Sequence, residues 1–315
     1  MIRESKTYCI IVTYNGEHWI EKCLNSIKNS SENLSILIID NKSTDNTIEV
    51  IEKNFSDVKI IKSKKNLGFG KANNIGLEIA YRDGADYFLL LNQDVFIEKN
   101  TIKTLIHYSR KEPNYGVISP IHLNGRGSAL DYNFSMYISP EKCKNLISDM
   151  FLNKLQPKLY SVPFVNAAAW LITKKCIENI GGFSDSFHHY GEDNNYCQRV
   201  LYHGLKIGVS PHTIIYHDRE TRTTNKYFKD SKVEYARSVT INCSNPNTNN
   251  SLKRIRTYLL KSIIKGFLTL NFNNSLKSYN KLRVLNRLNK KIILTNKRKS
   301  MNKGPSFLNL NNIKS

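Results

Sequence analysis

The first 92 residues repeat one pattern three times: a short apolar run, a polar turn, then apolar residues at helical spacing. TYCIIVTYN (7–15) reads as a buried strand, and GEHWIEKCLNSIKNS (16–30) places Trp19, Ile20, Cys23, Leu24 and Ile27 on one helical face. LSILIIDN (34–41) is again a strand, and STDNTIEVIEKNF (43–55) opens with capping residues and continues as a helix. VKIIKS (58–63), GKANNIGLEIAYRDG (70–84) and YFLLLN (87–92) supply strand, helix and strand. Strands alternating with helices at this spacing require right-handed crossovers. The expected fold class is therefore α/β, a Rossmann-like, mainly parallel sheet with helices on both faces.

Ligands of such sheets bind beyond the carboxyl ends of the strands. Three of those ends carry polar groups: Thr13-Tyr14-Asn15, Asp40-Asn41 and Asn92-Gln93-Asp94. Asp94 follows the apolar run Tyr87 to Leu91, where an unpaired charge is costly, so a partner is expected. A dinucleotide fingerprint needs three spaced glycines after the first strand, and TYNGEH has one. GFGKAN offers Gly68 and Gly70 without the third, and no phosphate-binding G-x-x-x-x-G-K-S/T is present. A carboxylate at a strand end beside amides suits a divalent cation, Mg²⁺ or Mn²⁺, that fills its shell with phosphate oxygens and water.

The net charge of +21 is uneven: from Ser251 onward there are 16 Lys or Arg and no Asp or Glu, leaving +5 for the rest. A boundary is expected near CSNPNTNNS (243–251), with a globular domain over 1–242 and a basic helical tail over 243–315. Within the first, two halves are expected, about 1–124 and about 125–242. The tail segment LKRIRTYLLKSIIKGFLTL mixes Ile255, Leu259, Leu260, Ile263, Ile264, Phe267 and Leu268 with cations. That pattern fits an anionic membrane surface better than a nucleic acid, the other partner a basic tail can serve, or else a helix packed on the body. Six scattered cysteines without a C-x-x-C, and no secretory leader or 18-residue apolar run, lead to the expectation of a cytoplasmic protein with reduced thiols.

IIVTYN, IIDNKSTDNT, NLGFGKANNIG, LLLNQDV and GGFSDSFHHYGEDNNYCQR, in that order, resemble the motifs of the family 2 glycosyltransferases, inverting enzymes of the GT-A fold. The branch they resemble is the bacterial rhamnosyltransferase-like one, and the resemblance covers about 7–217. It implies a nucleotide-diphospho-sugar donor (dTDP- or UDP-linked), a divalent metal and a carboxylate base. By resemblance, Thr13, Tyr14, Asn15, Asp40, Asn41, Ser43, Asn66, Gly68, Asn74, Asn92 and Gln93 fall at nucleotide-binding positions, Asp40 being the acceptor for the N3–H of thymine or uracil. Asp94 matches the metal-touching carboxylate of D-x-D. Asn92 stands where the first Asp of that motif belongs, and Gln93 where the branch usually has proline.

The second half carries the expected chemistry. VPFVNAAAWLITKK (162–175) reads as a strand with the small residues Ala167 to Ala169 at its middle. Glu192-Asp193 follows Gly191 and precedes Tyr196, Cys197, Val200 and Leu201 at helical spacing, which places both carboxylates in a first helical turn. The resemblance makes Asp193 the catalytic base, with Glu192 beside it, and Asn195 stands where a further Asp is common. His217 ends the apolar run TIIYH and is, by the same resemblance, a candidate second metal ligand or else a plain polar strand end. His188 and His189 precede the acidic helix and are open between acceptor contact and surface. The implied function is transfer of a sugar, L-rhamnose from dTDP-L-rhamnose or else a UDP-hexose, to a growing, lipid-linked bacterial surface glycan. The place of work would be the inner face of the cell membrane.

Overall fold

The computed structural model describes residues 5–187, 190–219 and 230–310. The N-terminal repeat forms as expected: β1 (Thr7–Thr13), α1 (Glu17–Lys28), β2 (Ser35–Asp40), α2 (Thr47–Asn54), β3 (Lys59–Lys62), α3 (Phe69–Arg82) and β4 (Tyr87–Asn92). There follow β5 (Val95–Ile97), α4 (Thr101–Lys111), β6 (Tyr115–Asn124), α5 (Tyr132–Tyr137), α6 (Leu146–Phe151), β7 (Tyr160–Ser161), β8 (Ala169–Thr173), α7 (Lys174–Ile180), α8 (Glu192–Tyr202) and β9 (Lys206–His217). Four helices close the described chain: α9 (Ser231–Ser244), α10 (Leu252–Leu268), α11 (Phe272–Arg287) and α12 (Lys290–Met301).

One sheet runs β3-β2-β1-β4-β8-β6-β9-β5, with β7 paired to β9. The strands from β3 to β4 are parallel. The second half is mixed, because β8 runs antiparallel to both β4 and β6 while β6 and β9 are parallel. Both faces are covered, which is why the strands read as continuous apolar runs. Cys9, Ile11, Leu89 and Leu91 pack with Ile20, Leu24, Ile51 and Leu105 on one side. Tyr8, Ile10, Phe88 and Leu90 pack with Leu77, Ile177, Tyr196 and Val200 on the other.

The strand expected over 162–175 is shorter. It begins at Ala169, so the alanine run precedes and opens it rather than forming its middle. Pro163 offers no N–H to a ladder, and the carbonyl of Ala168 instead accepts from the Asn92 N–H at 2.9 Å.

The boundary expected at 243 runs through the last turn of α9. Val239 and Cys243 of that helix share a core with Leu252, Leu259, Leu285 and Ile293, so the C-terminal helices are packed together through it. The chain then returns to the body. Gly182 N donates to Ser306 O and Gly304 N to Asn179 O, both at 2.9 Å, while Leu308 and Leu310 join the main core. Arg199 is fully buried; its guanidinium donates to the carbonyls of Ile180 and Gly182 and lies 4.9 Å from the Phe307 ring centroid. All six cysteines are buried free thiols, as expected.

Candidate active site

The nucleotide side is built on the ends of β1, β2 and β4. Asp40 is buried and accepts from Thr13 Oγ1 at 3.1 Å, from Lys42 N at 3.1 Å, and from the backbone and hydroxyl of Ser43. Those four donors hold the turn after β2. Asn15, with φ 49°, joins the same turn: its N–H donates to Ser43 Oγ and its Oδ1 accepts from Thr44 N. Asn41 accepts from Leu67 N at 3.1 Å and donates to Gly68 O at 3.2 Å, and Asn66 accepts from Gly68 N. These residues therefore shape the loop before α3, while Tyr14 stands about half exposed above the rim at 48%.

Gln93 makes two bonds with Tyr14, accepting from its N–H at 3.0 Å and donating to its carbonyl at 3.1 Å. The glutamine thus clamps β1 to β4. A Cβ on Gly16 would lie 2.3 Å from Gln93 Oε1, so any larger residue there would push the glutamine out of this clamp. Asn74 is engaged within the fold. Its side chain accepts from Phe183 N at 2.7 Å and donates to Phe183 O and Phe307 O. Its amide thus ties α3 to the main chain around Phe183 and Phe307.

Asp94 is fully buried in the turn between β4 and β5. β5 pairs antiparallel with β9, setting Val95 opposite His217, and Asp218 N donates to Asp94 O. The pairing brings His217 Nε2 to 3.5 Å from Asp94 Oδ2. On the other side of the ring, His217 Nδ1 is 3.7 Å from Asp131 Oδ2, and neither imidazole nitrogen has a hydrogen-bond partner among the described residues. Asp131 caps α5 by accepting from Phe134 N and is ion-paired with Arg219. His122 stacks on Phe134 at 4.4 Å, and burial holds its pKa well below the ordinary value, so it is neutral.

Among the described residues no three His, Cys, Asp or Glu side chains form a closed metal site. The pair of Asp94 and His217 nevertheless fits one edge of a divalent cation's shell. Bonds near 2.1 Å at about 90–110° put two ligands roughly 3.0–3.5 Å apart, and such cations fill the remaining positions with phosphate and water. Two buried ligand atoms 3.5 Å apart, one of them an orphaned imidazole nitrogen, meet that requirement.

Glu192 and Asp193 open α8, as the spacing predicts. Asp193 accepts from Asn194 N at 2.8 Å, and the N–H of Ala167 also faces its carboxylate. The helix dipole and these donors favour the charged form. Burial opposes them and wins: the carboxyl of Asp193 is raised above its ordinary value, and that of Glu192 is raised further by burial plus the charge of Asp193. His188 and His189 lie outside the described residues.

Three site residues had no signal in the sequence. Asp131 and Tyr137 bracket the single short helix α5, Asp131 at the His217 end and Tyr137 within the field of Asp193. Burial, then the Asp193 charge, pushes the Tyr137 phenol up to about 12. Arg237 reaches from α9 into the field of both carboxylates and lies 5.9 Å from the Tyr190 ring centroid.

The sequence profile of "Glycosyl transferase family 2" matches residues 8–181. The chain belongs to this family. Among curated relatives, a dTDP-rhamnosyl transferase of Shigella flexneri, RfbF, is 25% identical over 66% of this chain and 67% of its own length. The rhamnosyltransferase WbbL of Escherichia coli is 27% identical over 69% and 85%. The hexosyltransferase Agl10 of Haloferax volcanii, of low-salt glycan biosynthesis, is 26% identical over 82% of each chain. Among solved structures, Staphylococcus aureus TarS with UDP-GlcNAc aligns at TM-score 0.55 and 17% identity, over 94% of this chain and 90% of its own. The mannosyltransferase PcManGT of Pyrobaculum calidifontis, with GDP-Man and Mn²⁺, aligns at 0.53 and 15%, over 95% and 74%. The fold of this glycosyltransferase is accordingly the GT-A fold.

Proposed function

We propose that this family 2 enzyme transfers L-rhamnose, with inversion, from dTDP-L-rhamnose to a lipid-linked bacterial surface glycan, working at the inner face of the cell membrane. The observation that carries the reading is the arrangement of two separate acidic groups on one rim. Asp94 follows the central strand β4 and meets His217 at the end of β9, and the Glu192-Asp193 pair opens α8. One group suits a diphosphate leaving group and the other an acceptor hydroxyl.

Thr13, Asn15 and the Asp40–Ser43 turn form the base end of the donor site in this reading, with Asp40 assigned to the N3–H of thymine by its place in the motif order. Asp94 and His217 would hold a divalent cation, which when bound neutralises the charge developing on the diphosphate. Asp193 takes the proton of the attacking hydroxyl, its raised pKa matching a base that works near neutral pH. Glu192, the more proton-retaining of the two, orients the acceptor.

The test is thermal shift and donor hydrolysis across nucleotide sugars with Mn²⁺. Stabilisation grows as RT ln(1 + [L]/Kd), so dTDP and dTDP-rhamnose should stand above UDP, UDP-hexoses and GDP. A larger shift with a UDP-hexose would replace the rhamnose donor and leave the transferase reading standing. Stabilisation by a DNA oligomer alone would remove the transferase reading.

A further inference from the structure

The C-terminal hairpin of α10 and α11 is built in the opposite sense to a hairpin meant for water. Its seam is made of small polar residues: Ser262 Oγ meets Ser278 Oγ at 2.9 Å, and Ser275 Oγ donates to Ile263 O at 2.9 Å. Gly266 is buried so tightly that a Cβ there would lie 2.3 Å from Ser275 Oγ. Small seams let helices approach closely and are the usual packing device where the surroundings are apolar. Here they leave the large apolar side chains outside. Ile264, Phe267, Leu268, Leu270, Phe272 and Leu276, all within 13 residues around the turn, are each 56–80% exposed.

The turn itself repeats the message. Leu270 adopts φ 55°, a conformation that favours Gly or Asn, yet it carries a leucine that is 76% exposed. Backbone conformation and water both disfavour that choice, so a different medium must favour it. Toward its base the hairpin is ordinary: Leu252, Leu259 and Leu285 are buried, with Ile255 and Leu282 packed against them. The whole-face amphipathic helix expected from the sequence is thus cut down to an apolar tip. Around and above that tip, residues 252–287 carry nine Lys or Arg, all exposed, and no acidic residue.

We propose that the α10–α11 tip inserts into the interface of an anionic lipid bilayer, with Lys261, Lys265 and Lys277 on the headgroups. This rests on the reading of a membrane-borne acceptor. No helix among the described residues is long and apolar enough to cross a membrane, so the contact is peripheral. The charge decides between occupants: a second copy of the same hairpin would set nine cations against nine with no acid between them, whereas anionic headgroups complement them.

The experiment uses the full chain and vesicles of phosphatidylcholine, with and without phosphatidylglycerol. The wild type should float with the anionic vesicles and far less with neutral ones. Phe267→Ser/Leu268→Ser/Leu270→Ser should lower partitioning at least about tenfold, and Lys261→Gln/Lys265→Gln/Lys277→Gln on the order of 10²-fold at low salt. Both should leave dTDP binding and donor hydrolysis unchanged. Leu268→Trp should show blue-shifted emission on the anionic vesicles and quenching by brominated lipid. Failure of the wild type to bind anionic vesicles at low salt overturns the proposal, as does binding indifferent to the tip substitutions. So does a dimer that the tip substitutions convert to a monomer without any vesicle binding. Vesicle binding without turnover of any nucleotide sugar would instead count against the transferase reading alone.

Discussion

His217 Nε2 stands 3.5 Å from Asp94 Oδ2, although 123 positions separate the two residues. Antiparallel pairing of β5 with β9 creates the contact, because Val95 and His217 are opposite each other in the ladder. The lone carboxylate after a greasy strand therefore has a neighbour, and the two side chains stand together at the strand mouth.

Asp94→Asn and His217→Ala should each weaken Mn²⁺ binding in the presence of dTDP by about tenfold or more, since each removes one of two protein ligands. Water-proton relaxation during a Mn²⁺ titration reads this without turnover. Unchanged Mn²⁺ affinity in both variants, with an intact circular-dichroism spectrum, would remove the metal role from this pair.

Asp131 should act on the cation through His217. A carboxylate on the far nitrogen orients a ligating imidazole, and losing it typically costs about 10–100-fold in metal affinity. Asp131→Asn retains the cap on α5, because Asn caps as well as Asp, while the charge beside Nδ1 disappears. The expected result is weaker Mn²⁺ binding, together with a lower melting temperature because the ion pair with Arg219 is lost. A fall in melting temperature with Mn²⁺ affinity preserved would make Asp131 a structural partner of Arg219 and of α5 and nothing more.

Asp193→Asn should lower kcat by about 10²-fold or more, the usual loss for a general base, with donor affinity near wild type. The pH profile carries a sign. The base must be unprotonated, and its pKa is raised to about 6, so the wild-type rate should climb as pH rises through that region and then level. An acid limb that stays put in the slow variant would assign it to another group. Should Glu192→Gln lose the rate while Asp193→Asn keeps it, the two roles are exchanged.

Glu192→Gln should be more stable than wild type at alkaline pH. The Glu192 carboxyl is raised from 4.5 to about 8 by burial and by the Asp193 charge, so between those values the folded chain keeps a proton that the unfolded chain has released. Wild-type stability must then decline as pH rises across that window, and a glutamine has no proton to lose. Melting temperatures of the two proteins should diverge from about pH 5 to pH 8. Parallel curves would mean that Glu192 ionises freely in the fold.

Much of the site was readable because it sits where the chain's own periodicity stops. Thr13, Asp40 and Asp94 each end or follow an apolar run, and the topology alone sends such ends to one rim. The place of Asp193 in the first turn of α8 was legible from the helical spacing behind it, while its assignment as the base came from the motif order. The partners of Asn74 were not legible: it lies on a helix in the motif order, but which backbone its amide would meet depended on the Phe183 and Phe307 segments, more than 100 residues away. Asp131, Tyr137 and Arg237 gave no signal, since a six-residue helix and one arginine on a later helix have no periodicity to mark them.

The sequence by itself determined the strand–helix alternation, the parallel half-sheet and the rim on which the polar residues gather, because those follow from local apolar spacing and the handedness of crossovers. The tertiary structure decided what long-range pairing alone can decide. It seated His217 between Asp94 and Asp131, and it raised the carboxyls of Glu192 and Asp193 by withdrawing them from water. It also divided the basic tail into a base packed through α9, a tip left apolar and exposed, and a last segment returned to the core. Spacing along the chain shows that a helix has a greasy face. Which part of that face stays uncovered depends on where the neighbouring helices come to rest.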